Sequence, residues 1–173
     1  MVLGRGAFGK VFLGELKQNK KLYAIKSIRK DVLIEMDQIE NTMLEKDIMF
    51  ECDHPFLVGM DYLFQNELRI YFVMPFVRGG ELYKIYENQK RFNEETVRFY
   101  AAQLTIALGY LHSKGIAHRD MKLENILVDQ NGYIKIIDYG LAKMLKEDDQ
   151  QSYSFCGTPE YLAPEMVNSS GHN

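Results

Sequence analysis

The stretch HRDMKLEN at residues 118–125, followed by DYG at residues 138–140, decides the fold of this chain. The first segment supplies an acid, a cation and an amide, and the second supplies another acid. Phosphoryl transfer requires such a set, because an acid orients the attacking hydroxyl and a cation meets the charge of the moving phosphoryl group. An amide and an acid together hold Mg²⁺. The two segments therefore indicate a site for phosphoryl transfer.

The composition is that of a globular protein with one core of ordinary size. The chain has 173 residues and a net charge of -3, which argues against a nucleic-acid or anionic-membrane partner. Its two cysteines, Cys52 and Cys156, lack the spacing of metal ligands. They predict reduced thiols and a cytoplasmic location, with the nucleus as a second compartment. There is no apolar run of bilayer length and no signal peptide, so we expect no membrane segment.

The first half of the chain is predicted to be rich in strands. Apolar, β-branched and aromatic runs predict strands over residues 11–13, 22–25, 56–60 and 69–74. Apolar residues spaced among charges predict one amphipathic helix over residues 32–50.

The second half is predicted to be helical with one short hairpin. A start signal over residues 93–96 precedes a helix over residues 97–112, and Gly115 lies beyond its end. Asn131-Gly132, between the runs 126–128 and 133–137, is a strong hairpin signal. The apolar face of the helix is expected to consist of Val97, Ala101, Leu104, Leu108 and Leu111. The pattern predicts two lobes with a hinge near residues 75–79.

The glycine-rich segment GRGAFGKV at residues 4–11 is a weak signal by itself. Its glycines would let backbone N–H groups approach phosphates closely. A dinucleotide-binding fingerprint would require a helix directly after the last glycine, whereas a strand-like run follows here. An ordinary glycine-rich hairpin is the alternative.

Further motifs make the chain resemble a protein kinase along its whole length. AIK at residues 24–26 resembles the kinase strand that carries the phosphate-binding lysine, and CGTPEYLAPE at residues 156–165 resembles the end of an activation segment. HPFLV at 54–58, RGGEL at 78–82 and SFCGT at 154–158 resemble the AGC group of Ser/Thr kinases, in particular protein kinase B-like and serum- and glucocorticoid-regulated members.

This resemblance implies an α+β, bilobal fold in a truncated catalytic domain. Residues 1–77 would form the small lobe, with the glycine-rich loop and a helix of the αC type. Residues 78–173 would form part of the large lobe, with the catalytic loop and the activation segment. The family's large lobe continues with several helices beyond the last residue of this chain.

The resemblance also implies the catalytic roles. Asp120 would orient the substrate hydroxyl or accept its proton, and Lys122 would stabilise the γ-phosphate. Lys26 would contact the α- and β-phosphates, paired with Glu45 on the following helix. Glu35 and Glu40 are the alternative partners of Lys26.

The implied cofactors are ATP and Mg²⁺. Asn125 and Asp138 would hold the metal ion. In the family the position of Pro75 offers its carbonyl to adenine, and proline keeps that carbonyl although it has no N–H. Val77 would offer its N–H. The full nucleotide-binding set comprises Leu3, Gly4, Gly6, Gly9, Val11, Ala24, Lys26, Met74, Pro75, Val77, Glu81 and Leu127.

The activation segment implies a protein substrate and regulation by an upstream kinase. Glu81, Glu124, Gly157 and Thr158 would bind the substrate, with the two acids favouring arginine before the target hydroxyl. For Glu81 the alternative is a helix cap, and for Glu124 it is a solvated loop charge. Ser154 would be the activating phosphosite, with Ser152 and Tyr153 as alternatives. Arg119 and Lys143 would hold its phosphate.

Two residues depart from the AGC pattern, and two other functions stay open. Tyr139 stands where phenylalanine is usual, and its hydroxyl requires a partner if it is buried. His118 stands where most AGC members have tyrosine. One alternative function is an inactive kinase fragment or nucleotide-binding module. The other is a small-molecule kinase, which residues 157–165 disfavour.

Overall fold

The computed structural model describes residues 1–145 and 156–168. The chain divides into two compact units, one formed by Met1–Asp53 with Val58–Phe76 and the other by His54–Leu57 with Val77–Asn173. Residues 54–57 belong to the second unit because the Phe56 carbonyl accepts from the Ile136 N–H at 2.8 Å. That the two units act as functional lobes stays a prediction.

The first unit contains a five-stranded antiparallel sheet. Its strands combine β-branched and aromatic residues, which suit a half-buried pleated surface. The core lies on and beside the two central strands, where Tyr23, Ile28, Phe72 and Val73 are buried. The strands are β1 (Val2–Gly6), β2 (Gly9–Glu15), β3 (Leu22–Arg29), β4 (Tyr62–Gln65) and β5 (Arg69–Pro75). Their order in the sheet is β1-β2-β3-β5-β4.

The helix predicted over residues 32–50 is in fact two helices, α1 (Lys30–Glu35) and α2 (Ile39–Glu51). The chain turns at Asp37, whose φ of 51° is left-handed. A short polar residue tolerates this conformation, and no glycine or proline marks the break in the sequence. The buried residues of α2 are Thr42, Glu45, Ile48 and Met49, whereas the apolar Ile39, Met43 and Phe50 are exposed.

The strand predicted over residues 56–60 is also wrong. Leu57 makes only an isolated bridge to Ile136, and the strand in this region is β4, further along the chain. The apolar run was a misleading signal because Leu57, Val58 and Met60 are buried without belonging to a strand. All four residues of β4, in contrast, are exposed.

The second unit is built on the long helix α4 (Glu94–Ser113). The predicted start is confirmed, since the Asn93 side chain accepts a hydrogen bond from the Thr96 N–H at 2.8 Å. The predicted apolar face is partly wrong, because the buried residues are Gln103, Ala107 and Leu111, whereas Val97 and Ala101 are exposed. Gln103 is buried because its Oε1 accepts from the Ile134 N–H at 3.0 Å.

Short strands and helices complete this unit, and the predicted hairpin is confirmed. Strands β7 (Ile126–Val128) and β8 (Ile134–Ile136) pair antiparallel around Gly132, whose φ is 89°. Sequence patterns did not predict the helix after the Gly79-Gly80 pair. The remaining elements are α3 (Leu82–Gln89), β6 (Ile116–Ala117), β9 (Lys143–Met144) and α5 (Pro164–Val167).

Across residues 1–145 and 156–168, no helix combines the length and apolar character needed to cross a membrane.

Candidate active site

In the first unit, Lys26 and Glu45 form an ion pair. Lys26 lies on β3 and Glu45 on α2, with 2.6 Å between Nζ and Oε1. The Glu45 side chain is 5% exposed and that of Lys26 is 24% exposed. A buried carboxylate is costly without a cation, so this contact fixes the end of the Lys26 side chain relative to α2.

The predicted nucleotide-binding residues of the first unit lie on adjacent strands. Register pairs Val11 with Lys26 across β2 and β3, and Ala24 with Met74 across β3 and β5. Directly paired residues, and residues two apart on one strand, share a face of a sheet. Val11, Ala24, Lys26 and Met74 therefore share one face. Pro75 follows on β5, where it pairs with Tyr23, and Leu3 lies on β1.

The glycines of the β1–β2 hairpin serve different purposes. A Cβ atom at Gly9 would lie 1.8 Å from the Ser27 carbonyl oxygen, so glycine is required there for strand packing. A Cβ at Gly4 or Gly6 would meet nothing within 4 Å. The backbone at these two positions is therefore open to a ligand, as their predicted phosphate-binding role requires.

In the second unit, Asp120 is the centre of a hydrogen-bond network. Its Oδ1 accepts from the Thr158 hydroxyl at 2.7 Å, and its Oδ2 lies 2.8 Å from Lys122 Nζ. Lys122 Nζ also donates to Thr158 Oγ1 at 2.9 Å. These bonds join residues 118–125 to Thr158, and they hold the Asp120 carboxylate in one orientation.

The same network orients Asn125. Its amide nitrogen donates to the Asp120 carbonyl at 2.8 Å and to Asp120 Oδ2 at 2.9 Å. Because both of these partners are acceptors, the amide oxygen of Asn125 must face away from Asp120. That oxygen is therefore left for another ligand.

Asp138 directly follows Ile137, whose backbone is hydrogen-bonded to that of Asn125. The Ile137 N–H donates to the Asn125 carbonyl at 2.9 Å, which brings the two predicted metal ligands onto neighbouring segments. Asp138 has a left-handed φ of 65°, and its Oδ1 accepts from the Gly140 N–H at 3.3 Å. A carboxylate and an amide oxygen fit Mg²⁺, which binds through few protein oxygens and keeps several waters. The described residues contain no cluster of three or more His, Cys, Asp or Glu side chains that could hold a metal ion.

The environment of Asp120 favours its ionised form. Burial raises the pKa of this carboxyl, but hydrogen bonds from Lys122, Thr158 and Asn125 outweigh burial, so the net pKa is below the ordinary value. Asp120 is therefore a carboxylate at neutral pH. It can orient a hydroxyl through hydrogen bonding.

Tyr139 and His118, the two departures from the AGC pattern, are in contact. Their rings meet edge to face with centroids 5.5 Å apart. The buried Tyr139 hydroxyl donates to the Ile136 carbonyl at 3.3 Å, which supplies the partner that a buried tyrosine requires. Burial lowers the pKa of the His118 imidazole, which is therefore neutral at pH 7.

The predicted phosphate-holding residues lie near the ends of the paired strands β6 and β9. Arg119 follows β6 by two residues, has a φ of 65°, and donates from Nε to the Leu141 carbonyl at 2.7 Å. Lys143 lies on β9 and pairs with Ala117 of β6. Ser154, Ser152 and Tyr153 lie outside the described residues.

The predicted substrate-binding acids have different surroundings. Glu81 precedes α3, but its side chain makes no capping hydrogen bond and instead lies 3.3 Å from Lys84 Nζ. The backbone of Glu81 bridges Leu127, so these two predicted nucleotide-binding residues are adjacent. The Oε2 atom of Glu124 is buried without a hydrogen-bond partner among the described residues. A buried carboxylate oxygen does not fit the alternative prediction for Glu124, which was a solvated loop charge.

Gly157 is constrained next to Thr158. Its φ of 106° is left-handed, and a Cβ there would lie 2.8 Å from the Arg119 carbonyl oxygen. The glycine thus permits the close approach that brings Thr158 to Asp120. Val77 stands at the start of the second unit, two residues before Gly79, whose N–H donates to the Val128 carbonyl.

Sequence patterns did not predict the contact of Thr158 with Asp120 or that of His118 with Tyr139. Thr158 is 38 positions from Asp120, and no local periodicity connects residues so far apart. The Asp120 N–H also donates to His118 Nδ1 at 3.3 Å, and only the folded loop shows this contact.

Comparison with known proteins agrees with this geometry. The family model described as "Protein kinase domain" matches residues 1–173. The chain is 46% identical over 171 residues to the RAC serine/threonine-protein kinase of Drosophila melanogaster, and 48% identical over 166 residues to the serine/threonine-protein kinase akt-2 of Caenorhabditis elegans. It is also 47% identical over 174 residues to human ribosomal protein S6 kinase alpha-3. These alignments cover 99%, 96% and 99% of the chain but 28%, 31% and 23% of those proteins. The chain thus spans a third or less of the length of these relatives.

Proposed function

Because this chain belongs to the protein kinase family, and its relatives are kinases of the AGC group, we propose that it transfers the γ-phosphoryl group of ATP to serine or threonine in proteins. The network around Asp120 is the observation that carries this proposal. It places a cation and an amide each within hydrogen-bond distance of one ionised acid. Phosphoryl transfer depends on such positioning and on charge stabilisation more than on covalent chemistry by the protein.

Each reactive residue has a role in this proposal. Asp120 orients the substrate hydroxyl and accepts its proton, and Lys122 stabilises the charge on the transferred group. Lys26, held by Glu45, binds the α- and β-phosphates. Asn125 and Asp138 hold Mg²⁺, which neutralises phosphate charge when bound.

We further propose that the substrate carries arginine before its target hydroxyl. Glu124 supplies one carboxylate for this, since a guanidinium binds a carboxylate through two parallel hydrogen bonds. Glu81 supplies a second carboxylate, which is already close to Lys84. Arginine can form a bidentate pair with a carboxylate, which lysine cannot copy.

Regulation by an upstream kinase at Ser154 is part of the same proposal. A phosphate there would add roughly -1.5 to -2 charges, which Arg119 and Lys143 would meet. Mass spectrometry of active protein should find this serine modified, and Ser154→Ala should lower activity. An unmodified Ser154 together with a fully active Ser154→Ala variant would contradict the assignment. A cytoplasmic location, with the nucleus as a second compartment, stays a prediction.

The proposed activity is tested with Mg-ATP and Ser/Thr peptides. In the full-length protein, Asp120→Ala should lower the turnover rate by about 100-fold or more, since general-base catalysis contributes at least that much. Asp53→Ala, a change at an exposed aspartate, is the matched control and should leave turnover unchanged. Unchanged turnover in Asp120→Ala would contradict the role of Asp120. Binding of ATP by the wild type without transfer would indicate a nucleotide-binding module instead.

The arginine preference is tested on a peptide array. Wild-type protein should phosphorylate arginine-containing peptides faster than matched peptides in which lysine replaces arginine. Glu124→Gln and Glu81→Gln should each reduce this ratio, whereas Glu67→Gln, a change in the turn between β4 and β5, should not. Equal rates on the two peptide sets would refute the preference without refuting the kinase activity.

A further inference from the structure

Tyr139 is bonded to the end of the strand that precedes it. The side chain is 1% exposed, among the most buried in the described residues. Its hydroxyl donates to the carbonyl of Ile136, the last residue of β8, at 3.3 Å. A buried hydroxyl is costly without a partner, so this bond disfavours any loop conformation that keeps the ring buried but moves the hydroxyl away.

The Tyr139 ring also connects the metal-binding loop with the catalytic loop. It meets the buried His118 ring edge to face at 5.5 Å, a favourable aromatic geometry. His118 in turn accepts from the Asp120 N–H through Nδ1 at 3.3 Å. A chain of contacts thus runs from Ile136 through Tyr139 and His118 to the backbone of Asp120.

The residue beside Tyr139 has a left-handed backbone conformation. Asp138 has a φ of 65°, which is uncommon for an L residue, although a short polar side chain such as that of aspartate tolerates it. Its carboxylate accepts from the Gly140 N–H at a long 3.3 Å. On the other side of Gly140, the Ala142 N–H donates to the Tyr139 carbonyl at 2.9 Å. Tyr139 is therefore bonded through its side chain on one side of the loop and through its backbone on the other.

We propose that the Tyr139 hydroxyl is a positioning group, which ties the loop carrying Asp138 to the end of β8 and so keeps that carboxylate ready for Mg²⁺. This inference rests on the proposed function for the role of the metal ion, but the hydrogen bond from Tyr139 to Ile136 is independent of metal and nucleotide. A phenylalanine at this position keeps an aromatic ring beside His118 and removes the hydroxyl that donates to Ile136.

Tyr139→Phe in the full-length protein tests the role of the hydroxyl. Without metal or nucleotide, amide hydrogen exchange in peptides covering residues 138–142 should be about twofold to tenfold faster than in wild type, as expected from the loss of one hydrogen bond. The Mg²⁺ concentration for half-maximal peptide phosphorylation should rise by a similar factor, while kcat at saturating Mg²⁺ changes less than twofold. Tyr23→Phe, which removes a hydroxyl from a buried tyrosine of the first unit, should change neither quantity.

Two results would overturn the inference. One is unchanged exchange in residues 138–142, since the hydroxyl would then not restrain this loop. Faster exchange that extends equally to β7 and α4 has the same consequence, since the hydroxyl would then act on general stability alone. The other is local acceleration with no change in the Mg²⁺ requirement, since the tie would then not position Asp138. If wild-type protein phosphorylates no peptide, the proposed function fails, and the exchange measurement still decides whether the tie exists.

Discussion

At the scale of single residues, the Asp120 carboxylate depends on a donor from a distant part of the chain. Thr158 donates to Oδ1, while Lys122 and Asn125 occupy Oδ2. These bonds lower the pKa of Asp120 below its ordinary 3.8 despite burial. A group with a lowered pKa stabilises the folded state at pH values above its unfolded pKa, and this contribution is lost as pH falls through the folded pKa.

We expect Thr158→Val to raise the pKa of Asp120. Valine has nearly the shape of threonine but no hydroxyl, so the carboxylate loses one hydrogen-bond donor. The stability that Asp120 contributes would then be lost at a higher pH than in wild type. Carbon-13 NMR titration of the aspartate carboxyls measures the pKa, and urea unfolding between pH 2 and pH 6 measures the stability. Thr105→Val is the control, since the Thr105 hydroxyl donates to Ala101 within α4. An unchanged Asp120 titration in Thr158→Val would contradict this account of the lowered pKa.

At the scale of elements, α4 depends on a local signal at its first turn. Asn93 accepts from the Thr96 N–H at 2.8 Å, and Glu94 and Glu95 place negative charge at the positive end of the helix dipole. Asn93→Ala should lower the free energy of unfolding by about 0.5–2 kcal/mol, the usual cost of removing such a cap. Chemical denaturation of the variant and wild type measures the difference. Asn88→Ala, at an exposed position of α3, should not destabilise, because alanine is the better helix former. An equal decrease in the free energy of unfolding in the two variants would contradict a capping role for Asn93.

Elements that carry their own signals could be predicted from the sequence, and elements set by tertiary contacts could not. The Asn93 cap and the Asn131-Gly132 turn correctly located α4 and the β7–β8 hairpin. The break at Asp37 carries no glycine or proline, so periodicity alone joined α1 to α2. Likewise, Gln103 occupies a buried position of α4 because of its bond to Ile134, a partner that no helical pattern reveals.

The same distinction holds within the candidate site. Residue identity, spacing and the family resemblance selected Lys26, Asp120 and Asn125 as candidate reactive groups, and their roles stay predictions. The predicted pairing of Lys26 with Glu45, and not with Glu35 or Glu40, is confirmed, and the structure adds that Thr158 bonds to Asp120. Each of these contacts joins two separate elements, so their geometry follows from the packing of the fold.

At the scale of the whole molecule, several large apolar side chains of the described residues are exposed. On α4, Phe99 is 44% exposed and Ile106 is 57% exposed, and their spacing of seven residues places them on one side of the helix. Exposed apolar patches favour association. We expect the 173-residue chain on its own to self-associate at micromolar concentration and above.

Ile106→Glu should weaken this association with little effect on stability, since the replaced side chain is exposed. Sedimentation velocity over a concentration series measures the association. Thr105→Glu adds the same charge at the neighbouring exposed position of α4 and serves as the control. A wild-type chain that stays monomeric, or equal dissociation in the two variants, would contradict a role for this apolar surface.

The short pairing of β6 with β9 has a consequence for how the site assembles during folding. It joins Ile116 to Met144 and Ala117 to Lys143, so the chain from His118 to Ala142 is a closed loop. The entropic cost of closing a loop grows only slowly with its length. Contacts between residues that are close in sequence form fastest. Asp120, Asn125 and Asp138 all lie inside this loop and can therefore become ordered together. Thr158 lies outside it, so its bond to Asp120 is expected to be the last step in completing the site.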